Sequence, residues 1–344
     1  MVKILILGAG AMGSAFSIPC VQRNHKVTIV GTSLENKFIE NIKKNNYFHP
    51  SLKINLPRKI KIIKSIDLKI TKNIPNLIVL GVSSKGINWV VDELGKKFLN
   101  KRLPPIVMLT KGLSIYRNQY ELLVDKLKRL LLKAEFKNVN ITVVGGPCLA
   151  SGLANKINSS VVFANKNKET LNWLSKNLYT KYYHISLSKD VIGVETCAAI
   201  KNIYSMIIGA SRGISKNNLS SINKNQLYLN TSAALFTQCL FEMEEFVSAL
   251  KGKKDTVKGL AGLGDLHVSA AGGRNSLMGF HMGNGILYSK AIKNEMKDTT
   301  VEGAELAFEI ESRIRKDFDK KKFPLLFAMV NAITKNKKII IKWK

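Results

Sequence analysis

The sequence predicts an α/β protein: a doubly wound, mainly parallel sheet over residues 1–189, then an all-α domain over 190–344. Three observations predict it. A glycine cluster separates an apolar strand from a helical segment at the N-terminus. Short β-branched runs alternate with helical stretches through the first half. From about Asp190 the strand signals fade, and long apolar segments with helical spacing replace them. At 344 residues the chain is long enough for two separate cores.

The first element is Val2–Leu7, an apolar run of the kind buried in parallel sheets. Gly8-Ala-Gly10-Ala11-Met12-Gly13 follows, then an apolar helical segment from Ser14 to Val21 and a second strand over Lys26–Val30. The GxGxxG therefore lies between strand and helix of a βαβ unit, where a Rossmann-like dinucleotide site needs it. Gly8 permits the tight turn, Gly10 lets a pyrophosphate approach the backbone, and Gly13 lets helix and strand pack closely. The helix N-terminus supplies N–H groups and partial positive charge. The alternative is a glycine-rich turn that binds nothing. After the second strand comes Gly31-Thr32-Ser33, with Glu35 further on and no carboxylate at the strand tip. A 2′-phosphate is then not repelled, Thr32, Ser33 or Lys37 can contact it, and both NAD and NADP stay open.

Further strands are expected at Leu77–Val82, Ile106–Leu109 and Ile141–Val144, with a helix over Tyr120–Lys133. Ligands bind at the carboxyl ends of such strands, here Gly81-Val-Ser83-Ser, Thr110-Lys111-Gly and Gly145-Gly146-Pro-Cys148-Leu-Ala150. Lys111 follows its strand directly into that crevice; the plainer reading is a solvated loop lysine. In the second half, Val191–Ala210 and Thr231–Leu250 read as packed helices, and Glu195, Ala198, Ala199 and Asn202 share one face of the first. Lys201 sits in this apolar run and either snorkels to the surface or is buried with a lowered pKa. Gly259-Leu-Ala-Gly-Leu-Gly-Asp265-Leu is a glycine-rich loop presenting one aspartate. Arg274 and Asn275 follow at the start of another helix, where guanidinium, amide and helix N-terminus suit a phosphate. The bland reading makes Asp265 a turn residue and Asn275 or Ser276 a cap.

Lys and Arg total 54 against 24 Asp and Glu, a formal charge of +30. The cations are mostly lysines spread along the whole chain, and no nucleic-acid module accompanies them. Compositional drift with no nucleic-acid partner is the expected explanation. The four cysteines are far apart and form no CxxC, which fits a reducing compartment and no structural zinc. No apolar run in the sequence approaches a bilayer span, so a cytoplasmic protein without a membrane span or a metal is expected.

Taken together, Asp190-Val-Ile-Gly-Val-Glu195, Ala198-Ala-Ile-Lys-Asn202 and Gly259–Leu266 resemble the signatures of NAD(P)-dependent glycerol-3-phosphate dehydrogenases. Gly8–Gly13, Thr110–Gly112, Gly146-Pro147, Arg274-Asn275 and Val301-Glu-Gly303 occur in the same order and at similar spacing, over residues 2 to about 330. The resemblance implies a helical domain of the 6-phosphogluconate-dehydrogenase type, a homodimer, and interconversion of dihydroxyacetone phosphate with sn-glycerol 3-phosphate for phospholipid synthesis. It implies Lys201 as general acid/base, Lys111 and Asp265 as its catalytic partners, and two nearby ammonium groups depressing each other's pKa. Substrate contacts fall on Lys111, Gly146, Cys148, Lys201, Asn202, Asp265, Ser269, Gly273, Arg274 and Asn275. Cofactor contacts fall on Gly8, Gly10, Ala11, Met12, Gly13, Thr32, Ser83, Lys111, Ala150, Arg274, Val301 and Glu302. Met12 stands where the family commonly has an aromatic residue, and Cys148 where it has a hydroxyl. Rival readings are a ketopantoate reductase, a β-hydroxyacid dehydrogenase, and a non-catalytic nucleotide- or nucleic-acid-binding protein on the same fold.

Overall fold

In the computed structural model, which describes residues 1–70, 74–99, 101–217, 229–297 and 299–341, the N-terminal apolar run becomes β1 (Lys3–Leu7), inside an eight-stranded sheet. The other strands are β2 (Lys26–Gly31), β3 (Lys61–Lys64), β4 (Leu77–Leu80), β5 (Ile106–Met108), β6 (Ile141–Gly145), β7 (Ser159–Ala164) and β8 (Tyr183–Ser188). Their order is β8-β7-β6-β5-β4-β1-β2-β3, and every pairing is parallel except that of β6 with β7. β4 and β5 are buried along their whole length, as a parallel strand covered on both faces must be. The strand order reverses at β1: the chain runs outward through β2 and β3, then returns to β4 on the other side. That reversal is the switch point at which open α/β sheets bind ligands. Helix α1 (Ala11–Gln22) buries residues from Gly13 to Cys20, and Phe16 meets Tyr183 of β8 edge to face.

Residues 1–111 and 123–191 form one packed unit; 112–122 and 192–344 form the other. The second is built on α2 (Val191–Asn217), with α3 (Leu229–Ala249), α4 (Asp265–Gly272), α5 (Arg274–Gly283), α6 (Glu302–Asp317) and α7 (Pro324–Thr334). By length and composition α2 could cross a membrane, contrary to the sequence expectation that no segment would. Yet 89% of its most apolar window is buried inside the protein, so it is a core helix. Reciprocal glycines decide how α2 meets α5. A Cβ added to Gly209 would stand 2.0 Å from the Ser276 carbonyl oxygen, and one on Gly213 2.2 Å from that of Phe280. From α5, a Cβ on Gly279 would stand 2.0 Å from the Met206 oxygen, and one on Gly283 2.1 Å from that of Ala210. The two backbones thus touch where any larger residue would force them apart. Buried Glu242 of α3 accepts the Leu325 and Leu326 N–H groups, both at 2.9 Å, and so caps α7. Burial pushes its carboxyl above the usual range, with these two donors pulling the other way.

Two local expectations are corrected. The helix expected from Tyr120 begins at Leu123, because Gln119–Leu122 pairs with Leu113–Tyr116 in a hairpin. Its two-residue tip, Arg117-Asn118, has positive φ at both positions (48° and 63°), the geometry that suits strand twist. That hairpin belongs to the helical unit, where Ile115 N–H donates to Glu309. β3, β7 and β8 were not expected: β7 and β8 are mixed with serines, and β8 is partly exposed at the sheet edge. At the C-terminus, the described residues after Thr334 form no strand, and the rest of the Lys335–Lys344 tail lies outside the described residues.

Candidate active site

The first unit gathers its candidates at the carboxyl ends of the strands. Gly8 ends β1 with φ at +108°, and a Cβ there would stand 2.8 Å from the Gly81 carbonyl carbon. A Cβ on Gly13 would lie 2.5 Å from the Gly8 oxygen, and one on Gly81 2.7 Å from Gly13 Cα. Three glycines from β1, α1 and the end of β4 therefore interlock at the switch point. Gly81 completes a contact that the GxGxxG pattern alone does not reveal. Gly10 is the N-cap of α1 and brings no side chain to its own helix, so the first-turn N–H groups of Ala11, Met12 and Gly13 suit an anion.

Glu35 alters the reading of the β2 tip. Its Oε2 accepts the Thr32 N–H at 2.7 Å and the Ala9 N–H at 3.2 Å. A carboxylate thus does stand at the end of β2, carried back by the turn that Thr32 opens. The Thr32-x-x-Glu35 spacing of a capping box was the sequence signal for it. Buried His49 lies beneath the same turn: Nδ1 accepts the Leu52 N–H, leaving Nε2 to donate to the Ala9 oxygen at 3.3 Å. Burial holds its pKa below the ordinary imidazole value.

Ser83 stands at the N-cap position of the short turn after β4, without a side-chain bond to it, and Thr110 donates to the Val82 oxygen at 2.8 Å, joining the ends of β4 and β5. Lys111 follows, half-buried. Beyond β6, Gly146 has φ at +115°, Cys148 is half-buried, and Ala150 opens a short helix.

In the second unit the two sequence neighbours Lys201 and Asn202 reach different partners. Lys201 is not snorkelling. It is 6% exposed and forms an ion pair with Asp265, itself 2% exposed, and it donates to Ser269 Oγ at 2.7 Å. The glycine-rich stretch Leu260–Gly264 is a single wide helical turn, so Asp265 is the first residue of α4 rather than a loop residue. Ser269, one turn along, shares its face.

Asn202 Oδ1 accepts from Asn275 Nδ2 at 3.1 Å, and Asn275 Oδ1 accepts the Gly303 N–H at 2.8 Å. The buried Asn275 so bridges α2 to the start of α6 instead of capping its own helix, whose N-cap is Gly273. Arg274 pairs with Glu302. Val301, the N-cap of α6, is buried and lines a cavity of about 350 Å³ with Tyr288, Ile292, Thr299, Thr300 and Glu305.

Comparison with known proteins gives this arrangement its family. The model for the N-terminal part of NAD-dependent glycerol-3-phosphate dehydrogenase matches residues 3–171, and that for its C-terminal part matches 190–342. The chain belongs to the NAD-dependent glycerol-3-phosphate dehydrogenase family. It is with that an NAD(P)-dependent oxidoreductase. A protein named NADP(+)-dependent glycerol-3-phosphate dehydrogenase from Archaeoglobus fulgidus is 31% identical over 319 residues, covering 91% of both chains. The crystal structure of glycerol-3-phosphate dehydrogenase from Coxiella burnetii superposes with a TM-score of 0.79 at 26% identity, covering 98% of this chain and 96% of that one. The enzyme of that name from Saccharomyces cerevisiae, at 19% identity and a TM-score of 0.78 over 97% and 96%, shares the fold.

The β1–α1 turn of this dehydrogenase-family chain fits a dinucleotide. A Cβ on Gly10 would meet only Glu35 Oε1, at 3.8 Å, so the missing side chain leaves an open approach to the backbone. Among the described residues, no group of three or more His, Cys, Asp or Glu is placed to hold a metal ion.

Proposed function

We propose that the chain is an sn-glycerol-3-phosphate dehydrogenase: dihydroxyacetone phosphate plus NAD(P)H and a proton interconvert with sn-glycerol 3-phosphate and NAD(P)+. The observation that carries this reading is the buried Lys201–Asp265–Ser269 cluster, one residue along α2 from the Asn202–Asn275 bridge that abuts Arg274. Ketone reduction needs a hydride, a proton for the forming alkoxide and a grip on the rest of the molecule. The dinucleotide supplies the hydride and would be held by Gly8, Gly10, Ala11, Met12, Gly13, Thr32, Ser83 and Ala150, with Arg274, Val301 and Glu302 as further contacts.

Lys201 Nζ carries the proton that the substrate oxygen receives in reduction and takes it back in oxidation. As a buried ammonium it also stabilises the developing alkoxide charge. Asp265 and Ser269 hold the ammonium in one position, so little reorganisation accompanies the transfer. Arg274 grips the phosphate with Asn275 and Gly273 at the α5 N-terminus, where amide groups and helix dipole add to the guanidinium. Lys111, Gly146, Cys148 and Asn202 complete the proposed substrate contacts. The four free cysteines support a reducing, cytoplasmic setting, and the product suits phospholipid synthesis. The homodimer belongs to the same reading and is checked by light scattering.

The test is NADH and NADPH oxidation with dihydroxyacetone phosphate, ketopantoate and oxaloacetate in parallel. Turnover with the phosphorylated triose supports the reading; turnover with ketopantoate alone rejects it. Lys201→Ala should lower turnover by roughly 10²-fold or more with dinucleotide affinity nearly intact.

A further inference from the structure

Glu302 places a negative charge directly on the guanidinium assigned to the substrate phosphate. Its carboxylate pairs with Arg274 and accepts from Asn275 Nδ2 at 3.5 Å. The first residue of α6 thereby holds both side chains that open α5. The two halves of the pair differ in how firmly they are fixed. Asn275 is buried and keeps separate bonds to Asn202 and to the Gly303 N–H. The Arg274 side chain is 56% exposed and that of Glu302 39%, so the guanidinium can exchange partners with solutes while Asn275 stays in place.

We infer that Glu302 is an internal counter-anion that competes with the substrate phosphate for Arg274, and so sets the threshold of affinity an incoming anion must exceed to occupy this site. The inference rests on the reading of Arg274 as the phosphate grip. A carboxylate offers one charge and two oxygens. A phosphate monoester at neutral pH offers up to two charges and three oxygens, and it can take the guanidinium fork in two parallel bonds. A monoanion of carboxylate strength gains little by displacing Glu302, whereas a phosphate gains charge and geometry together. The Asn275–Gly303 bond does not involve the carboxylate, so neutralising Glu302 removes the competitor and leaves the junction of α5 and α6 tied.

The experiment is calorimetric titration of the full chain with inorganic phosphate, and separately with acetate, for the wild type, Glu302→Gln, Arg274→Ala and the double variant. Glu302→Gln should tighten phosphate roughly 2- to 5-fold, the size expected when a partly exposed ion pair no longer opposes binding. It should also tighten acetate by a similar factor, because removing an internal competitor frees Arg274 equally for either anion. In the Arg274→Ala background the same substitution should change nothing, a result that a merely structural role for Glu302 would not give. Glu302→Ala should move phosphate affinity in the same direction as Glu302→Gln, so one poorly folding variant does not decide the matter. Unchanged or weakened phosphate binding in both Glu302 variants overturns the inference. Phosphate affinity unaffected by Arg274→Ala instead rejects the underlying assignment of Arg274, and the two failures are thereby told apart.

Discussion

Replacing Asp265 with Asn while keeping Lys201 would strand an ammonium in the core of the helical unit. Both groups are almost wholly buried, and their charges face each other directly. Breaking a buried ion pair by removing one partner costs about 3–5 kcal/mol, because the surviving charge keeps its desolvation penalty. Ser269 remains as an acceptor at 2.7 Å, which puts the expected cost at the lower end, about 3 kcal/mol. For a unit of this size that is a fall in Tm of roughly 6–12 °C. Replacing Lys201 with Met in the same protein removes the stranded charge with a side chain of similar length, and should restore most of the loss. The assay is thermal unfolding followed by circular dichroism and calorimetry for the wild type, both single variants and the pair. The calorimetric trace separates two transitions if the units melt apart. If Asp265→Asn melts within about 2 °C of the wild type, and Lys201→Met adds no rescue, Lys201 is solvated and the buried-pair account fails.

Packing, pH and the cofactor turn supply three further tests. Gly279→Ala drives a Cβ to 2.0 Å from the Met206 oxygen, and separating α2 from α5 should cost about 1–3 kcal/mol despite the better helix propensity of alanine. Gly95→Ala has nothing within 4 Å on its helix and should stabilise by up to ~1 kcal/mol; urea unfolding of both checks that the signs differ. His49 has its folded pKa below the ordinary 6.5, with burial the main cause. The unfolded chain therefore takes up the proton first, and stability is lost as pH falls from about 6.5 toward the folded value. Melting curves at about pH 7.5 and pH 5.5 should show that loss shrinking in His49→Gln, with a remainder from His25, which burial shifts the same way. Glu35→Ala removes the acceptor for the Ala9 and Thr32 N–H groups, should cost about 1–2 kcal/mol, and should weaken NADH binding in a calorimetric titration. Undiminished affinity would mean that the glycine turn keeps its shape without the carboxylate.

What the sequence made legible follows from how local each signal is. β1, the glycine turn, α1 and β2 are read from about thirty consecutive residues, and the chemistry of each glycine is set by its immediate neighbours. α2 is legible for the same reason, since its apolar run is long enough to carry its own periodicity. Edge strand β8 was not legible, because its Tyr-His-Ile-Ser-Leu-Ser run is partly exposed and takes its pairing from β7, about twenty residues earlier. The hairpin before Leu123 was obscured by a leucine-rich helix pattern that overlaps its second strand, and its Arg-Asn tip lacks the glycine that marks most two-residue turns. In the candidate site, the identity of Lys201 was plain, but whether it faced water or a carboxylate depended on a partner 64 positions away. The same holds for Glu302 and Arg274, whose pairing joins the starts of two helices that no local periodicity links. Residue type and helical position announce which groups can do chemistry; the long-range pairing between helix starts decides the charge each group meets. The unabsorbed part of the +30 surplus follows the same logic. A lysine gains a role here not by adding to the total but by losing its water to one placed carboxylate, as Lys201 does to Asp265.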